Sequence, residues 1–225
     1  MKAMILAAGR GQRMMPLTAH MPKPMLEVAG KPLLAYHLER LKLAGVQQVV
    51  INLAWQGEKI EQYFGDGHQW GMQIEYSYEC DGGLETAGGI AQALPSLCED
   101  HDVFIVINGD IFTDYDVHAL MQLQLMPGEA HIVLVENPPH HPDGDFCLTH
   151  QPLNEETYTF SGIGLYHKDF FKDVPVSKVP LGPMLRNAIS EQMLSSELYL
   201  GQWHDIGTPE RLKAINAAME ATHVG

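Results

Sequence analysis

The feature that most constrains this chain is a run of five apolar residues, Val103-Phe104-Ile105-Val106-Ile107, that ends directly in Asn108-Gly109-Asp110. A strand without a polar face must be covered on both sides, the condition of a central strand in a sheet flanked by helices. Similar short runs recur and are separated by segments of helical spacing, the pattern of βα units. Met4 to Ala8 reads as a first strand, Val49 to Leu53 as a second and Ile132 to Val135 as another. Leu34, Leu38 and Leu41 mark a helix that stops before Gly45, and Glu58 to Phe64, Ala87 to Leu94 and Met184 to Met193 read as further helices. Gln73 to Tyr78 alternates like a half-exposed strand, Thr157 to Tyr166 resumes strand character, and Glu197 to Leu200 is short. Thr208 is placed to cap a last helix with Pro209 at its first position. The expectation is an α/β fold with a Rossmann-like, mostly parallel (mixed) sheet flanked by helices, in one domain over residues 1–225. The irregular stretch that begins at Asn137 makes 137–157 a candidate substrate lid.

The formal net charge of -14 excludes a nucleic-acid surface, since no basic stripe is present. No stretch approaches the roughly 18 consecutive apolar residues of a membrane span, and the first residues lack the apolar core of a signal peptide. The cytoplasm is therefore the expected compartment. Three widely spaced cysteines, Cys80, Cys98 and Cys147, with no CxxC pair, fit reduced thiols better than a disulfide framework or a zinc site.

Chemistry concentrates at strand ends. In an open α/β sheet, ligands bind beyond the carboxyl ends of the strands. There the first strand gives way to Gly9-Arg10-Gly11-Gln12-Arg13, whose glycines let backbone N–H groups approach an anion. Gly-x-Gly alone is equally a tight turn, but Arg13 lies in the same loop. Lys23 follows between Pro22 and Pro24, which stiffen its segment. Asp110 stands at the carboxyl end of the apolar run, and Asp205 lies in Trp203-His204-Asp205-Ile206-Gly207-Thr208. Together they suit Mg²⁺, which takes one or two protein carboxylates; separately each reads as a turn or cap aspartate. Asp114 and Asp116 read as loop or cap residues, and His140-His141, beside two prolines, as exposed rather than ligating. There is no Gly-x-Ser-x-Gly elbow and no Walker loop. A dinucleotide-binding dehydrogenase is excluded because the first loop lacks Gly-x-Gly-x-x-Gly.

With these residues in view, MILAAGRGQRMMPLTAHMPKP (Met4 to Pro24) resembles the signature of sugar-1-phosphate nucleotidyltransferases. The resemblance continues through LETAGG (Leu84 to Gly89), INGD (Ile107 to Asp110), FSGI (Phe160 to Ile163) and WHDIGTPERL (Trp203 to Leu212). It covers essentially the whole chain and implies a glycosyltransferase-A-like domain of the short, catalytic-domain-only form. NPPHHPDGDF (Asn137 to Phe146) and INLAW (Ile51 to Trp55) resemble most the branch that uridylylates N-acetylmuramic acid 1-phosphate. Mannose-1-phosphate guanylyltransferases and glucose-1-phosphate thymidylyltransferases share the general motifs and are the alternatives within enzymes; a non-catalytic nucleotide-sugar sensor on the same fold is the alternative from another class.

The resemblance implies a nucleoside triphosphate (UTP favoured) and a sugar 1-phosphate as partners, Mg²⁺ as cofactor, and a monomer or small homo-oligomer. It places the nucleotide on Ala8, Gly9 and Gly11, with Arg13 and Lys23 on phosphates and Gly83, Glu85, Thr86 and Gly88 along the base. Asp110 and Asp205 would bind Mg²⁺; Asn108, Glu136, Asp145 and Gly162 would line the sugar pocket. Arg13, Lys23 and Asp110 would be the catalytic set. Two departures stand out. Met15 occupies a position where relatives often carry a second arginine, and no lysine or arginine lies between His150 and Phe160, where some relatives hold the sugar's phosphate.

Overall fold

The apolar run Val103–Ile107 lies within an eight-stranded sheet, flanked on either side by another strand. The computed structural model describes residues 1–80, 82–149 and 156–223. In chain order the strands are β1 (Lys2–Leu6), β2 (Glu27–Val28), β3 (Lys31–Pro32), β4 (Gln48–Leu53), β5 (Gln73–Tyr78), β6 (Val103–Asn108), β7 (Ile111–Thr113), β8 (Ala130–Val135), β9 (Phe146–Cys147), β10 (Thr157–His167), β11 (Leu194–Tyr199) and β12 (Trp203–Asp205). The α-helices are α1 (Leu33–Leu43), α2 (Gly57–Phe64), α3 (Glu85–Leu97), α4 (His118–Met121), α5 (Leu181–Ser190) and α6 (Pro209–His223).

The main sheet runs β11-β8-β10-β6-β1-β4-β5, with β9 added against β10. All neighbours along this path are parallel except β10, which is antiparallel to both β6 and β8. The sheet is thus mixed and mostly parallel, as expected. Its two faces are covered separately. Leu34, Leu38, Leu41, Ile60 and Phe64 pack with Ile5, Ile51 and Ile105 on one side. On the other, Ile90, Leu97, Phe171 and Leu185 pack with Met4, Phe104 and Val106. Alternate residues of β6 enter opposite cores, which explains why the whole run had to be apolar.

Several boundaries differ from the sequence reading, among them those of α3, which runs Glu85–Leu97 rather than Ala87–Leu94, and of α5, which ends at Ser190 rather than Met193. β1 starts at Lys2 rather than Met4, because Lys2 and Ala3 already pair with Phe104 and Ile105 of β6; the Lys2 ammonium donates to the Ser96 carbonyl at 2.7 Å. It ends at Leu6, because the Ala7 N–H turns to the Asn52 side chain at 2.7 Å. α5 begins at Leu181, three residues before the expected Met184, directly after the extended Pro180. β11 begins at Leu194, since Gln192 in the left-handed region (φ 59) ends the preceding turn.

Two features position the site. Leu6 and Asn108 are register partners at the carboxyl ends of β1 and β6, and Gly109 N donates to Leu6 O at 2.9 Å. Their loops therefore leave the sheet side by side. A separate antiparallel ribbon pairs β12 with β7, setting Asp205 opposite Ile111, and Ile206 N donates to Asp110 O at 3.0 Å. Asp110, in the turn before β7, and Asp205, at the end of β12, are 95 apart in sequence, and their segments are thereby joined through the backbone.

Beneath this ribbon lies His37, 2 % exposed, with Nε2 unpaired among the described residues. Burial, aided by the Arg40 charge, pushes its pKa down to about 4, against the opposing pull of Asp110 and a hydrogen bond with the Ile111 backbone. The unfolded chain then binds this proton more readily than the folded one. The associated stability is complete above pH 6.5 and is lost progressively as pH falls toward 4. By pH 5 the loss is about 2 kcal/mol. His37→Leu should therefore show a smaller drop in melting temperature between pH 7.5 and 5 than wild type; an equal drop would assign the acid sensitivity to another group.

Candidate active site

Beyond the carboxyl ends of β1, β4 and β6 opens a cleft of about 860 Å³, lined among others by Ala8, Gly9, Lys23, Glu85, Thr86 and Asp110. Gly83 and Asn108 also line it. Lys23 is 7 % exposed and forms an ion pair with Asp110. Burying an ammonium is costly unless a carboxylate accompanies it, so this pair is the electrostatic anchor of the cleft. Asp205, at the end of β12, accepts from Arg211 at 2.8 Å and has His140 Nε2 at 3.5 Å. Arg211 also contacts His140. Each of the two carboxylates thus has its own cation.

No group of three or more His, Cys, Asp or Glu able to enclose a metal occurs among the described residues. Asp110 lines the cleft, whereas Asp205 does not and its carboxylate is turned to Arg211 and His140; the donors on offer are the hard oxygens of these two aspartates. Their chemistry fits Mg²⁺, which keeps water and phosphate oxygens in its remaining positions.

A buried polar relay ties the two sides of the cleft together. Asn52, 3 % exposed, accepts from Ala7 N through Oδ1 and donates from Nδ2 to Glu79 Oε1 at 2.6 Å. Glu79 Oε2 accepts from Leu84 N at 2.7 Å. The first loop and the loop carrying Gly82 and Gly83 are so held in one register. A Cβ at Gly89 would run into the Glu79 carboxylate and lie 3.1 Å from Asn52 Nδ2, so helix α3 needs glycine there for the relay to close.

A second pocket, about 410 Å³, shares Glu85, Thr86 and Asn108 with the first and is completed by Asp145, Phe146 and Arg186, among others. Asp145 is fixed by accepting from Phe160 N at 2.9 Å and by His141 Nε2 at 3.1 Å. The adjacent histidines, expected to be merely exposed, each reach a site carboxylate. Gly162 (φ 83) sits in a bulge of β10, and a Cβ there would lie 2.5 Å from Asn108 Nδ2. It leaves room for Asn108 rather than lining either pocket.

Other expected residues lie outside both linings. Arg13 is exposed in the short helix Gln12–Met14; Arg10 and Gln12 line the cleft in its stead. The loop takes this course because Gly11 is held by Thr18 Oγ1, which donates to its carbonyl at 2.7 Å. Gly88 packs α3 against the Ser177 backbone, and Glu136 is exposed beside Tyr158. Met15 is 56 % exposed. Asp116 accepts from His118 N at 2.9 Å and Asp114 from Gln202 N at 2.7 Å, the cap and loop roles expected of them. Residues 150–155, most of the stretch without basic residues and part of the candidate lid, lie outside the described residues.

Sequence reasoning missed Arg10, whose guanidinium lies 4.8 Å from the centre of the Trp55 ring, and also Asn52, Glu79, Arg186 and Arg211. The signal for Asn52 was present: an amide inside the apolar run Val49–Leu53 needs buried partners. For Arg186 there was none.

With this geometry in hand, the chain can be placed. It belongs to the nucleotidyl transferase family, whose pattern matches residues 2–161. Over 227 aligned residues it is 50% identical to N-acetylmuramate alpha-1-phosphate uridylyltransferase of Neisseria meningitidis serogroup B, covering 96% of this chain and 97% of that one. It is 37% identical to UTP--glucose-1-phosphate uridylyltransferase of Synechocystis over 71% of this chain and 43% of that one. A Bacillus anthracis protein crystallised with sucrose shares the fold, with a TM-score of 0.82 at 20% identity over 96% of this chain and 94% of that one.

Proposed function

We propose that this chain is a Mg²⁺-dependent uridylyltransferase that joins N-acetylmuramic acid α-1-phosphate to the uridylyl group of UTP, releasing pyrophosphate. The observation that carries the reading is the ion pair of the buried Lys23 with Asp110 in the lining of the cleft, beside the β7–β12 ribbon that carries Asp205. The choice of base and sugar is supported by 50% identity across almost the full length of the meningococcal relative. Its setting would be the recycling of cell-wall sugars in the cytoplasm. The cysteines Cys80, Cys98 and Cys147 are free, and among the described residues no helix is long and apolar enough to cross a membrane.

The chemistry is a displacement at phosphorus. An oxygen of the sugar phosphate forms a bond to the α-phosphorus of UTP, the bond from that phosphorus to the α,β-bridging oxygen breaks, and pyrophosphate departs with the electron pair. The attacking oxygen is already anionic at neutral pH, so no general base is needed. The obstacle is the approach of two anions in a chain of net charge -14. Lys23 and Arg10 place positive charge locally in the cleft, and the loop glycines offer backbone N–H groups. The Asn52–Glu79 relay keeps the phosphate-side and base-side loops in register, which orients the nucleotide. Mg²⁺, held by Asp110 and Asp205, would supply charge neutralisation at the phosphates.

The reading is tested by incubating the enzyme with N-acetylmuramic acid 1-phosphate and UTP, GTP or dTTP, and identifying products by mass. The expected result is a UDP-sugar and equimolar pyrophosphate with UTP alone, lost on chelation and restored by Mg²⁺. A GDP- or dTDP-sugar formed in preference would overturn the uridylyl assignment.

A further inference from the structure

The pocket on the sugar side contains one full cation, Arg186, among its lining residues. Among the described residues Arg186 has neither an ion pair nor a hydrogen bond, although the chain carries 28 Asp and Glu against 14 Lys and Arg. Of the two acids on the same wall, Asp145 is already engaged by Phe160 N and His141, and Glu85 faces both pockets. The guanidinium folds back along α5 toward Gly182, where a Cβ would lie 3.5 Å from it, so the bare glycine leaves that face open. Phe146, Leu181 and Leu185 supply an apolar wall alongside.

The backbone leading into α5, the helix that carries the exposed Arg186, is tied to the nucleotide side. Val179 N donates to Leu84 O at 3.1 Å, and Val179 O accepts from Ala87 N at 3.0 Å and Gly88 N at 3.3 Å. The start of α5 is thereby fastened to the loop and helix that carry Glu85 and Thr86. An exposed, unpaired planar guanidinium beside an apolar wall is suited to take a carboxylate in bidentate fashion.

We propose that Arg186 binds a carboxylate borne by the sugar itself and so sets the preference for an acidic sugar 1-phosphate over a neutral one. The inference rests on the uridylyltransferase reading above and identifies the group that selects its sugar. In N-acetylmuramic acid 1-phosphate that carboxylate is on the lactyl ether; N-acetylglucosamine 1-phosphate is the same sugar without it.

The test compares kcat/KM for these two sugars, at saturating UTP, in wild type, Arg186→Ala and Arg186→Lys. A lost charge-assisted pair of hydrogen bonds should cost about 10- to 100-fold. The expected result is that Arg186→Ala loses that much more on the lactyl-bearing sugar than on the lactyl-free one, mainly in KM. Arg186→Lys should recover part of the difference, with melting curves and the KM for UTP close to wild type. Equal losses on both sugars would assign Arg186 to the common phosphate or to structure and overturn the inference, as would no loss on either. Wild type that uses neither sugar, or prefers the neutral one, would overturn the substrate reading and the inference together.

Discussion

Asp110→Asn is expected to lower kcat by about 10²–10³ and to lower the melting temperature somewhat, since the buried Lys23 ammonium loses its carboxylate. The exchange removes a negative charge and almost no volume, and the amide retains an acceptor for Lys23. The backbone role of this position is untouched, since Ile206 N bonds the Asp110 main-chain carbonyl rather than its side chain. What disappears is one of two carboxylates that Mg²⁺ would need, so the variant should also require more Mg²⁺ for half-maximal rate. Turnover against Mg²⁺ concentration, with a melting curve alongside, checks this. Retention of most of the wild-type rate at ordinary Mg²⁺ would remove Asp110 from the role of metal anchor.

Lys23→Met carries the second large effect, a loss of about 10²-fold in kcat/KM by the same electrostatic reasoning. Methionine fills nearly the same space as the lysine stem, so the packing of this 7 % exposed side chain survives. Asp110, one-third exposed, is rehydrated when its partner is lost. Activity should therefore fall with little change in melting temperature, and Lys23→Ala should behave alike apart from a packing penalty. A normal rate in either variant, with an unchanged melting curve, would remove Lys23 from the reaction.

The division between what was legible in the sequence and what was not follows the range of the interactions involved. β6 was legible because both of its faces are buried, and β5 because one is, which leaves a continuous run in one case and alternation in the other. The antiparallel entry of β10 between β6 and β8 leaves no trace in local pattern, because either direction buries the same side chains. Strands of three residues, β7 and β12, carry too little periodicity to be seen. Their pairing is nevertheless what joins the segments of Asp110 and Asp205.

The resemblance singled out Asp110, Asp205 and Lys23 without showing how their segments are joined. It also favoured Arg13, whereas the structure turns Arg10 into the cleft, a choice made by the left-handed turn at Gly11 and its contact with Thr18. Arg186 was invisible for a further reason. Its helix starts three residues earlier than periodicity suggested, and its relation to the sugar pocket depends on backbone bonds made by Val179 to Leu84, Ala87 and Gly88.

Transfer of a uridylyl group to one particular sugar 1-phosphate is tested by the rate of pyrophosphate release from UTP and Mg²⁺ with N-acetylmuramic acid, mannose and glucose 1-phosphates, each supplied separately. The expected kcat/KM for N-acetylmuramic acid 1-phosphate lies well above the other two. Preference for mannose or glucose 1-phosphate would contradict the substrate assignment, and no release with any of them, from protein that still binds UTP, would contradict catalysis itself.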